Sequence, residues 1–89
     1  MLEVRVTSRF KKEVKKAEKQ QKDMRRLRDL IDLLQAEEPL PANNFDRALT
    51  GNYLGHRECH ISPDWLLIYK IDKPYLVLVR TGSHSELFG

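Results

Sequence analysis

Residues 56–80, HRECHISPDWLLIYKIDKPYLVLVR, decide the fold. Three β-rich runs lie in this stretch: His56 to Ile61, Trp65 to Ile71 and Tyr75 to Arg80. Ser62-Pro63-Asp64 and Asp72-Lys73-Pro74 separate them with the residue types that make turns. Connections this short predict adjacent antiparallel hairpins. Upstream, Pro39, Pro41, Asn43, Asn44, Gly51, Asn52 and Gly55 break any period, so residues 39–55 read as a loop. A loop of that length in a small protein is often functional. Ahead of it, Met24, Leu27, Leu30, Ile31 and Leu34 form one helical stripe that Glu37-Glu38-Pro39 ends. Phe10, Val14 and Ala17 recur at the same spacing, with Ser8 as the expected N-cap. Leu2, Val4 and Val6 alternate with Glu3 and Arg5, the pattern of a half-buried strand. The expected order is βααβββ. It describes an α+β protein, a small antiparallel sheet packed against an N-terminal helical hairpin, with residues 1–89 as a single domain.

Composition bounds the function. The 89 residues leave room for one modest core. The apolar runs fall far short of the roughly 20 residues that a membrane-spanning helix needs, so no membrane partner is expected. The first residues lack the apolar stretch of a signal peptide, and Cys59 is the only cysteine. A disulfide framework or a thiolate zinc cluster is thereby excluded, and a reducing cytoplasm is the expected location. The net charge of +3 conceals an asymmetry. Residues 1–28 hold eleven Lys/Arg against four Asp/Glu, a net of +7, while residues 29–89 hold five against nine, a net of −4. One strongly basic face suits a polyanion, although a solvated helix surface produces the same count.

Three kinds of chemistry are open to the side chains. His56, Glu58 and His60 share one face of a strand, but no zinc motif or fourth ligand accompanies them, so no metal is expected. Cys59 sits mid-strand without a helix N-terminus to lower its pKa and reads as a small buried hydrophobe. Ser83 and Ser85 flank His84 outside any nucleophile elbow. Metal-free RNA cleavage is the third possibility. There the ribose 2′-OH loses a proton and attacks phosphorus, and the departing 5′-oxygen gains one. Histidine suits those transfers because its ordinary pKa of about 6.5 is near working pH. Arginine meets phosphate oxygens with its fork, and aromatic rings stack on bases. His60, His84, Arg47, Arg57, Arg80, Trp65, Tyr69 and Phe88 supply that inventory.

Two strings are more specific than any inventory. Arg57 to Lys70 and Arg80 to Phe88 closely resemble the YafQ branch of the RelE/ParE toxin superfamily, and Pro39-Leu40-Pro41, Asp46 and Leu49-Thr50-Gly51 resemble it upstream. The resemblance implies a RelE-like fold and a toxin that enters the ribosomal A site. There it cuts messenger RNA without metal or cofactor, leaving a 2′,3′-cyclic phosphate and a 5′-hydroxyl. A cognate antitoxin of the DinJ kind, with operator DNA reached only through the toxin–antitoxin complex, is implied as well.

Carried over by position, His84, His60, Asp64, Arg80 and Phe88 become the catalytic set. His84 would protonate the 5′-oxygen and His60 would activate or orient the 2′-OH. Asp64 would hold a histidine tautomer or act as a base, Arg80 would stabilise the phosphorane, and Phe88 would stack on or orient a base. Arg47, Arg57 and Trp65 are the expected substrate contacts, with a core role the competing reading for Trp65. Lys11, Lys12, Lys15, Lys16, Lys19, Lys22, Arg25 and Arg26 would face ribosomal RNA. One position departs from the branch: Arg47 stands where it has a further histidine, and a guanidinium cannot act as a base near neutral pH. The alternatives are a ParE-like inhibitor of gyrase, against which His60 and His84 argue, and a noncatalytic RNA- or ribosome-binding module.

Overall fold

A computed structural model describes residues 1–89. The chain forms β1 (Glu3–Val6), α1 (Ser8–Lys19), α2 (Met24–Gln35), β2 (Arg47–Ala48), β3 (Arg57–Ser62), β4 (Trp65–Asp72), β5 (Tyr75–Gly82) and α3 (His84–Phe88). Single turns of 3₁₀-helix at Ala42–Asn44 and Gly51–Tyr53 flank β2. The strands make one sheet in the order β1-β5-β4-β3-β2. This is the expected α+β architecture, with the helical hairpin on one face of the sheet.

β4 explains the layering. Trp65 to Tyr69 are buried without a break, as a central strand covered on both faces requires. Trp65, Leu67 and Tyr69 face the helices and join Phe10, Ala17, Leu27, Leu30 and Leu34 in the main core, together with Cys59, Leu76 and Leu78. Leu66 and Ile68 face the other way and pack under Leu87 of α3, with Leu49, Tyr53 and Val79 beside them. The second face therefore carries only a thin apolar cover, and its margins are open for chemistry.

Direction and ends differ from the sequence reading in definite ways. β2 through β5 pair antiparallel, but β1 runs parallel to β5, from Glu3 opposite Tyr75 to Val6 opposite Leu78. The cause is β2, a two-residue strand inside the expected loop. It adds one reversal of the chain, and the count of reversals from β1 then brings β5 back in the same sense. Val6 at the end of β1 is exposed rather than half-buried. The cap of α1 is Thr7, not Ser8: its Oγ1 accepts from the Phe10 N–H at 3.0 Å and donates to the Val79 carbonyl at 2.7 Å. That second bond is available because β5 bulges there. Tyr69 pairs with Leu78 and Ile68 with Arg80, which leaves Val79 extra. A bulge re-aims the residues after it, and here that residue is Arg80.

Candidate active site

α3 begins with a capping box. The Ser83 hydroxyl accepts from the Glu86 N–H, and the Glu86 carboxylate accepts from the Ser83 N–H at 2.8 Å. A five-residue helix needs such support, and a Lys16–Glu86 ion pair adds a tether to α1. This bond to Lys16, then those to Ser83, hold the Glu86 carboxyl at about 2, well below its usual range. The helix places His84 and Phe88 four residues apart, hence on one side. Their rings lie 5.2 Å apart between centroids. Phe88 meets the edge of Tyr53 at 5.9 Å, and Tyr53 meets His56 at 5.7 Å. His84 is exposed and its imidazole makes no hydrogen bond within the protein, so both nitrogens are open to a ligand.

Arg80 stands beside this aromatic row, close to the Tyr53 phenol. Glu13 of α1 grips it from behind, accepting from Nη2 at 2.6 Å and from Nε at 3.2 Å. The same carboxylate accepts from the Thr81 N–H at 3.2 Å. These bonds raise the pKa of the guanidinium, Glu13 first, and fix its plane. Arg80 is itself only 8% exposed and lines a cavity beside α1, where a guanidinium fork suits a phosphate oxygen. His84, Phe88 and Arg80 are thus brought together around Tyr53. The sequence reading missed Tyr53. An aromatic in a loop without any period was its only signal.

His60 lies apart. It pairs with Leu66, which pairs on its other side with Gly82, so two strand spacings, about 10 Å, separate His60 from the start of the C-terminal motif. Its ring meets Phe45 edge-on at 5.4 Å. Asp64 is exposed in the β3–β4 turn and bonds to neither histidine, so no tautomer is held by it. Arg47 donates to Glu58 at 2.5 Å, and Arg57 to Asp46 at 3.3 Å. Both arginines pin β2 and its approach against β3, an anchorage completed by the Tyr69 hydroxyl donating to Asp46 at 2.5 Å. Burial and this bond push the Tyr69 phenol up.

Two readings are settled by burial. Trp65 is only 2% exposed within the helix-side core, too little for a base to stack on it, which corrects its expected substrate contact. Its indole N–H is buried without a partner. Cys59 is fully buried, and desolvation pushes its thiol up to about 12, so no thiolate nucleophile forms. No three His, Cys, Asp or Glu side chains cluster closely enough to hold a metal ion. No helix is long and apolar enough to cross a membrane.

The basic face is on α1 and the start of α2. Lys11, Lys12, Lys15, Lys19 and Arg25 are exposed and free of ion pairs. Lys16 is committed to Glu86, and Arg26 stands 4.0 Å from Asp23. Lys22 lies over the Trp65 ring, 5.7 Å from its centroid. Between α1, β5 and α3 a cavity of about 310 Å³ is lined by Lys16, Lys22, Trp65, Arg80 and Glu86, so the basic helix and the Arg80 site share a wall.

Known proteins resemble this chain along nearly its whole length. A family model for the YafQ bacterial toxin of type II toxin–antitoxin systems matches residues 2–89. The mRNA interferase toxin YafQ of Escherichia coli strain K12 is 42% identical over 88 residues, 98% of this chain and 96% of that one. YafQ in the E. coli DinJ–YafQ toxin–antitoxin complex superposes with a TM-score of 0.91 at 42% identity, over 99% of this chain and 98% of that one. A metal-bound toxin from Helicobacter pylori superposes with a TM-score of 0.94 at 41% identity, over 99% of this chain and all of that one.

Proposed function

The chain belongs to the YafQ family of bacterial type II toxins, and from that premise we propose that it is an mRNA interferase whose cleavage depends on the ribosome and occurs in the A site. The observation that supports this reading best is the meeting of His84, Phe88 and Arg80 on one margin of the sheet. In the proposed reaction the 2′-oxygen passes its proton to the His60 imidazole and bonds to phosphorus. The P–O5′ bond then breaks, and His84 delivers a proton to the leaving 5′-oxygen. Products are a 2′,3′-cyclic phosphate and a 5′-hydroxyl. Arg80, held by Glu13, stabilises the added charge on phosphorus. Preorganised cationic donors act most strongly at a centre where charge develops. Phe88, 38% exposed, gives a stacking face for a base. His60, on the same face about two strands away, takes the 2′-OH or a neighbouring ribose.

The proposed chemistry uses no metal, since imidazole and guanidinium supply the proton transfers and the charge. The DinJ–YafQ pairing supports a DinJ-like antitoxin as the partner that neutralises the toxin, with operator DNA reached only through that complex. Ribosomal RNA and messenger RNA are the remaining partners.

Mapping messenger-RNA 5′-ends after adding the purified protein to translating ribosomes tests this. In-frame cuts bearing 5′-hydroxyl ends are expected, unchanged by a transition-metal chelator that spares Mg²⁺. Equal cutting of naked RNA would remove the ribosome requirement, and loss of cutting with the chelator would remove the metal-free chemistry.

A further inference from the structure

The site around Arg80 leaves a second, larger groove unassigned. It measures about 840 Å³ and lies between α2, the Ala42–Asn44 turn and the β3–β4 connection. Arg26, Asn43, Phe45, His60 and Ser62 are among its walls. Phe45 is 63% exposed, more than any other aromatic side chain. Its backbone is left-handed, at φ 46° and ψ 50°. That region suits glycine or asparagine and is unfavourable for a bulky residue. The conformation is imposed by its surroundings. The Phe45 N–H donates to the Ala42 carbonyl at 3.1 Å, and the neighbouring Asn44 amide donates to the His60 carbonyl at 2.7 Å. A large apolar ring is thus kept out of the core, on a strained backbone, with its edge or face toward His60. Strain held in this way accumulates at functional positions.

We infer that Phe45 is a base-stacking residue that helps set sequence preference for single-stranded RNA. This inference rests on the nuclease reading above. The ring supplies a face for a base. Asn43 and Ser62, whose side chains make no hydrogen bond within the protein, and Arg26 supply donors and acceptors for the base edge. Single-stranded RNA is read by this combination of stacking and edge contacts. Because His60 is two strands from the C-terminal motif, the base on Phe45 belongs to a nucleotide neighbouring the one at His84.

The test compares wild type with Phe45→Ala, Phe45→Trp and Phe45→Leu on translating ribosomes, reading both rate and the bases beside each cut. Losing one stacked base predicts a decrease of about 10-fold for Phe45→Ala, together with a flatter base preference. Phe45→Trp should restore both and Phe45→Leu neither. Phe45→Gly relieves the backbone strain and should still lose the preference. An active wild type with a Phe45→Ala variant of equal rate and identical preference overturns the assignment. A wild type that does not cut on ribosomes instead defeats the nuclease reading. In that event, polarisation of a labelled single-stranded oligoribonucleotide decides the stacking separately, and equal affinity for wild type and Phe45→Ala overturns it. Unchanged RNA affinity with weakened antitoxin binding overturns it as well, in favour of a protein contact.

Discussion

Arg80 is held by Glu13 on α1 and lies close to Tyr53 on the loop before β3. It directly follows Val79, the residue that is extra in its ladder. His84 contrasts with it: exposed, unbonded and carried on the short C-terminal helix. The proposed roles differ accordingly, a fixed charge for one and a proton carrier for the other. Replacing His84 by Ala should lower the single-turnover cleavage rate by about 10²–10⁴-fold, the usual span for a lost acid or base. An unchanged rate at equal ribosome affinity would take His84 out of the mechanism. Chemistry at this scale is legible in the sequence only by kind. Histidine and arginine can be named, yet nothing in the chain tells that Glu13, 67 residues away, orients Arg80. Tyr53 escaped for the same reason, since its partners Arg80, Phe88 and His56 assemble only when three segments meet.

The C-terminal helix is the least self-sufficient element. At five residues it is below the length at which helices persist unaided, and it depends on its capping box and on Lys16. Glu86 is the group common to both. Its carboxyl is depressed to about 2, mainly by Lys16, so its contribution is fully present above the ordinary glutamate range. That contribution is lost as pH falls toward about 2, where the carboxylate protonates. Water screens the pair, which lies at the surface, and the effect is modest. Glu86→Gln should therefore melt at lower temperature than wild type near neutrality, and the two melting curves should converge as pH falls from about 4.5 to 2. A difference that stays constant across that range would remove the linkage. Residues 83–89 are too few to show a helical period, although Ser83 and Glu86 at capping-box spacing signal a helix start. β2 gave no such sign. Two residues cannot show alternation, and their pairing is set by Arg47 and Glu58 across the ladder. The longer elements were legible because their burial periods extend over several turns or pleats.

Across the whole molecule, charge and chemistry occupy adjoining surfaces. The helical hairpin presents Lys11, Lys12, Lys15 and Lys19 without partners, while the Arg80 cavity opens beside Lys16 and Lys22. A ribosomal RNA groove gripped by the first set would orient the second toward a messenger strand. If four such contacts form, ribosome affinity should fall about 100-fold between about 50 and 200 mM salt. Replacing Lys11, Lys12 and Lys15 by Gln should reduce the slope of that dependence while sparing the cleavage step once bound. A slope unaffected by the triple change would leave these lysines as solvated surface. The layered architecture and the basic block were legible at this scale, because patterning over many residues averages out local exceptions. Strand direction was not, because one unseen reversal changes the sense of β5 relative to β1.

The rims of the sheet have a consequence of their own. One is β1, four residues carrying Glu3 and Arg5, and the other is β2, only two residues long and opened by Arg47. Both are too brief and too charged to template a strand from another molecule. The long apolar β4, the segment with the greatest tendency toward fibrillar stacking, is enclosed between β3 and β5. Only a molecule that had lost a neighbouring strand could recruit others through it.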